Sequence, residues 1–96
     1  VVLEGEVCRP PETRMNPARV PLTRFTLEHR SQQTAGGFRR EARVRLVVVA
    51  AGAALSGQAR ELQLGERVRV EGFLSRSSYQ AGEQELALQA GVIRRL

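Results

Sequence analysis

The side chains best suited to chemistry in this 96-residue chain are its arginines. All 15 cations are Arg and all 10 anions are Glu, for a formal net charge of +5. Arg39, Arg43 and Arg45 alternate with Glu41 within one short segment. In an extended strand, a two-residue step of roughly 6.6–6.8 Å is close to the spacing of a stretched nucleotide backbone. Such a stripe can follow the phosphates of a single strand. The plainer reading of the same residues is a solvated face that Glu41 partly neutralises. Arg9, Arg14 and Arg19, set against Glu12, form a second basic stretch.

Stacking needs rings, and these are few: Phe25, Phe38, Phe73 and Tyr79, with no Trp. Phe25 lies in an apolar alternation and reads as core. Phe38 stands between Gly37 and Arg39, where an exposed ring would offer a platform worth ~1–3 kcal/mol per stacked base. Strict alternation nevertheless puts it on the side of Ala42 and Val44. Tyr79 falls at an expected hairpin tip, the second candidate ring.

Catalytic chemistry has little to work with. The one histidine, His29, shares a strand face with Phe25 and Leu27 and reads as structural, while Glu28 points the other way and cannot orient it. Cys8 is the only cysteine, which leaves no disulfide framework and no Cys-based metal site. No glycine-rich phosphate loop occurs. A non-enzymatic protein without metal or cofactor is the expectation.

These side chains require strands to position them. Val1–Cys8 alternates as a half-buried strand, and Arg9–Pro21, with four prolines, reads as a basic loop. Leu22–Arg30 is a second strand, with Thr23, Phe25, Leu27 and His29 on one side and Arg24, Thr26, Glu28 and Arg30 on the other. Ser31–Gly37 ends in Gly-Gly and connects to a third strand, Phe38–Val49. Ala42, Val44, Leu46 and Val48 form its apolar face. Ala50–Leu64 carries Leu55, Ala59 and Leu62 at helical spacing, and Gly65 stops that helix. Arg67–Arg76 and Glu85–Ile93 are the last two strands, joined by the Ser77–Gln84 loop.

Three strands, a short helix and two strands in a single domain, residues 1–96, predict an all-β, five-stranded Greek-key barrel of the OB type. Gly65 frees the turn into the fourth strand and Gly72 permits a tight bend within it. An SH3-like barrel or an open sheet is the rival arrangement. The composition, 42% hydrophobic, supports one small core. The longest apolar run, Leu46–Ala51, is far short of the ~18 residues that span a membrane, and no signal-peptide pattern occurs. A cytoplasmic protein is expected. The charge is uneven, with nine Arg against five Glu in residues 1–50 and six Arg against five Glu after that. The sequence pI of about 11.2 suits a polyanionic partner.

Four blocks carry a family resemblance. They are Leu3-Glu4-Gly5-Glu6-Val7-Cys8-Arg9-Pro10-Pro11, Phe25-Thr26-Leu27-Glu28-His29-Arg30-Ser31, Gly37-Phe38-Arg39-Arg40 and Val70-Glu71-Gly72-Phe73-Leu74-Ser75. Together they resemble the primosomal replication protein N (PriB) family, which is similar in fold to bacterial single-stranded DNA-binding protein. The resemblance implies a homodimeric, nucleoid-associated accessory protein of replication restart. It implies binding to single-stranded DNA and to the PriA helicase, with help in recruiting a further primosome component. It places Arg14, Arg30 and Phe38 on the DNA-binding face, with Arg39 and Arg40 nearby. The family's exposed tryptophan on the third strand falls at Arg43. Its lysines in the last hairpin loop are replaced by Ser78, Gln80 and Glu85. Two functions follow: a single-stranded DNA-binding cofactor, or chiefly a protein adaptor that stimulates PriA and touches DNA weakly.

Overall fold

A computed structural model of the chain describes residues 1–78 and 84–96. Its elements, in chain order, are β1 (Val2–Met15), β2 (Pro21–Ala35), β3 (Phe38–Ala51), α1 (Ala53–Arg60), β4 (Arg67–Ser78) and β5 (Gln84–Arg95). The strands close into a barrel in the order β1-β2-β3-β5-β4. Every neighbouring pair is antiparallel except β3 and β5, which run parallel over Val47–Val49 and Ala87–Gln89. This is the expected five-stranded OB barrel with its helix between β3 and β4.

β1 closes the barrel because it changes partner. Val2–Glu6 pairs with β4, and Glu6–Met15 pairs with β2. The strand runs through Pro10 and Pro11, where the sequence predicts a loop beginning at Arg9. Register shifts between Val7 and Arg9, and again between Arg9 and Glu12, explain the difference. Each shift inserts one unpaired residue into β1, and a bulge is where proline, with no N–H for the ladder, is tolerated. The true connection is only residues 16–20, held by Asn16, whose Oδ1 accepts from Val20 N–H at 2.9 Å.

β2 and β3 are also longer than the alternation predicts. They pair without a register break from Leu22↔Ala51 to Ala35↔Phe38. Gly36 and Gly37, at φ 60° and 82°, form the two-residue turn between them. Positive φ at both central residues matches the twist of paired strands and is accessible to glycine at little cost. The result is a ribbon whose far half runs past the core.

The core is one cluster in which Phe25, Leu27, Val48, Val68, Val70 and Leu88 are almost completely buried. α1 covers one end with Ala59, followed by Leu62, while Leu55 packs at the margin. The Thr23 hydroxyl lies 2.6 Å from Ser56 Oγ and 2.8 Å from Thr13 Oγ1, so the buried Thr23 and Ser56 satisfy one another and the exposed Thr13 of β1 joins them. Gly72 marks the β4 bulge, where a Cβ would overlap the Gln89 carbonyl oxygen, so only glycine admits the close approach of β5.

Candidate nucleic-acid interface

Because β2 and β3 keep register, directly opposite residues share a face. Glu28 faces Arg45, Arg30 faces Arg43, Gln32 faces Glu41 and Thr34 faces Arg39. This outer face of the ribbon therefore brings together Arg30, Arg39, Arg43 and Arg45, all exposed. Arg30 and Arg43 are like charges in direct opposition, which alone would destabilise the pair. Glu28 relieves it. Its carboxylate Oε1 lies 3.2 Å from Arg30 Nε and 4.0 Å from Arg43 Nε, and its Oε2 lies 3.9 Å from Arg45 Nη2. Arg43 also meets Glu41 at 3.5 Å. Glu28 is 9% exposed beneath guanidinium side chains that are 55–64% exposed.

The opposite face of the same ribbon carries Phe38, Arg40, Ala42 and Val44. Phe38 is 70% exposed and Val44 48%, although the pattern that continues from them, Leu46 and Val48, enters the core. Both readings of Phe38 thus hold: it is on the apolar side, and that side is uncovered here. The expected site residues consequently divide, with Arg30, Arg39 and Arg43 on one face and Phe38 and Arg40 on the other.

Arg14 lies elsewhere. It pairs with Leu22, eight residues before Arg30 on β2, which is roughly 26 Å of strand. It lines a cleft of about 290 Å³ with Arg9, Glu12, Arg24, Thr26 and Val47, where the β1 bulges open a gap against β2. Thr26, Arg24 and Val47 belong to the same face of β2 and β3 as Glu28 and Arg45, so the cleft continues the arginine face toward the barrel. Sequence reasoning missed Glu28 as the centre of the arginine cluster and missed Arg9 and Arg24 as cleft walls. Alternation had put Glu28, Arg24 and Arg30 on one face, but only the β2–β3 register shows which arginines of β3 stand opposite. Tyr79 and Gln80 lie outside the described residues, whereas Ser78 ends β4 and Glu85 lies in β5, so the strands extend into the expected Ser77–Gln84 loop.

His29 is half-buried on the core side of β2, and its Nδ1 lies 2.6 Å from the Glu4 carbonyl oxygen, fastening β2 to the part of β1 that has turned toward β4. This matches the structural role expected for it. Cys8 is a half-buried, free thiol in β1.

The model of a family described as "Another single-strand binding protein family" matches residues 1–90. The replication restart protein PriB of Photorhabdus laumondii is 39% identical over 90 residues, covering 94% of this chain and 86% of that protein. PriB of Escherichia coli O1:K1 is 34% identical over the same coverage. The chain belongs to the single-strand binding proteins, in the PriB family. Solved structures carry the same fold. A PriB from Ralstonia solanacearum superposes with a TM-score of 0.77 at 18% identity, over 100% of this chain and 96% of that one. A deletion variant of the Thermus aquaticus single-stranded DNA-binding protein gives 0.85 at 22% identity, over 99% of this chain, which spans only 48% of that one. Against PriB, the substitution of Arg43 for the tryptophan expected from the resemblance now has a setting: the guanidinium is held between Glu28 and Glu41. Among the described residues no helix is long and apolar enough to cross a membrane.

Proposed function

We propose that this PriB-family chain is a non-enzymatic accessory protein of replication restart that binds single-stranded DNA and acts with the PriA helicase as a homodimer. The observation that carries the reading is the outer ribbon face, where Arg30, Arg39, Arg43 and Arg45 project from paired positions of β2 and β3. The arginine-walled cleft around Arg14 supports a path that continues from it. Phosphates follow the arginines; the exposed Phe38 ring at the ribbon tip takes a base from the other side, with Arg40 beside it. Tyr79 is the further candidate for stacking. No metal or cofactor enters this account.

A second reading has its own support. Glu28 and Glu41 neutralise part of the arginine face, and Arg43 stands where stacking is expected. On that reading the protein is mainly an adaptor for PriA with weak affinity for DNA. Titration of labelled oligo-dT at several salt concentrations, with and without PriA, separates the two. Direct binding that weakens steeply with salt supports the first. Binding to PriA without salt-sensitive binding to oligo-dT supports the second and removes the first.

A further inference from the structure

The carboxylate under the arginine face is placed where a phosphate would compete with it. We infer that Glu28 limits the affinity of this chain for single-stranded nucleic acid by acting as an internal anion on the face that binds phosphates. The inference rests on the reading of the outer ribbon face as the DNA-binding surface.

Three geometric facts carry it. Glu28 faces three guanidinium groups, those of Arg30, Arg43 and Arg45, from a position at the foot of all of them. It is 9% exposed while they are 55–64% exposed, so an incoming phosphate meets the arginines from solvent with Glu28 on their far side. Glu28 meets Arg30 and Arg43 through their Nε atoms, at 3.2 and 4.0 Å, and Arg45 through its Nη2, at 3.9 Å. Each of the three arginine side chains thus keeps more than half of its surface open to a phosphate, while the charge they offer is reduced by one unit from beneath. A buried negative charge is screened less by salt than an exposed one, so Glu28 subtracts more than Glu41, whose side chain is 48% exposed.

The substitution Glu28→Gln isolates the charge. Its amide oxygen can still accept from Arg30 Nε, so the geometry is kept while the anion is removed. The arginines remain hydrated, so they can tolerate the loss. Glu28→Met, similar in volume and without any acceptor, is the second variant. Glu61→Gln, on the exposed end of the helix, removes the same unit of net charge away from the ribbon. Fluorescence anisotropy with oligo-dT at low salt reads the result, with thermal melts confirming the fold of each variant.

The expected outcome is tightening of about five- to tenfold for Glu28→Gln, from loss of a carboxylate–phosphate repulsion at short range. The salt slope should steepen by about 0.7 if the freed charge recruits one more phosphate. Glu41→Gln should tighten binding less, and Glu61→Gln least. Equal affinity for Glu28→Gln and wild type, or equal gains for Glu28→Gln and Glu61→Gln, overturns the inference while leaving the DNA-binding reading intact. Weaker binding by both Glu28→Gln and Glu28→Met also overturns it, and makes Glu28 a positioning residue for Arg30. If neither wild type nor Glu28→Gln binds oligo-dT at low salt, the functional reading falls and the inference falls with it.

Discussion

The two halves of the β2–β3 ribbon share strands, register and alternation, yet differ in almost everything else. Near the barrel, Phe25 faces Val48 and Leu27 faces Leu46, and Phe25, Leu27 and Val48 are at most 2% exposed. Past His29 and Val44 the same inward side carries a half-buried Ala42 and then Arg40 and Phe38 in solvent. Nothing about the strands changes; what ends is the cover supplied by β1, β4, β5 and α1. The core half carries stability because its apolar face is enclosed. The outer half can take a ligand because both faces are open and its conformation is fixed by pairing that the core half anchors.

Replacing one phenylalanine in each half breaks or confirms that contrast. Phe25→Ala should destabilise the fold by about 3–5 kcal/mol, enough to unfold much of a small domain, through lost burial and the cavity left behind. Phe38→Ala should leave the melting temperature nearly unchanged and weaken oligo-dT binding by ~1–3 kcal/mol, the worth of one stacked base. A large stability loss from Phe38→Ala would mean that the ribbon tip is covered in solution. Arg43→Trp, which places the family's ring on the outer face, should tighten binding by ~1–3 kcal/mol. Arg43→Lys keeps the charge and removes the plane, so a loss on that substitution would reveal that the guanidinium itself stacks.

Two smaller effects belong to the anchoring half. Thr23→Val removes the hydroxyl that Ser56 and Thr13 share, and should cost about 1–3 kcal/mol in chemical denaturation by leaving buried Ser56 short of a partner. His29→Ala removes the link to the Glu4 carbonyl and should cost about 1 kcal/mol with oligo-dT affinity unchanged. A loss of affinity at constant stability would instead place His29 in the interface.

How far the molecule was legible follows from the same contrast. Alternation located the strands, and the Leu55, Ala59 and Leu62 spacing located the helix, because period is a local property. Gly72 was readable as a bend because close backbone approach excludes a side chain. The course of β1 through Pro10 and Pro11 was not readable, since a proline signals a missing donor and says nothing about whether a bulge has already removed the need for one. Arg39, Arg43 and Arg45 were legible as one stripe, but the gathering of Arg30, Arg43 and Arg45 around Glu28 depends on the register between two strands. Register depends in turn on the two-residue Gly36-Gly37 turn. Phe38 and Arg40 could be assigned to a face, but whether that face was covered depended on where the barrel ended.

The claim that the outer ribbon face holds the phosphates is tested most directly by the salt dependence of oligo-dT binding in two proteins, wild type and an Arg30→Ala, Arg43→Ala double variant. If Arg14, Arg30, Arg39 and Arg43 each neutralise one phosphate, log K should fall with log salt at a slope of about −3 in the wild type. Losing two of those contacts should bring the double variant to a slope of about −1.4. A wild-type slope near zero, or the same slope in both proteins, would contradict the account.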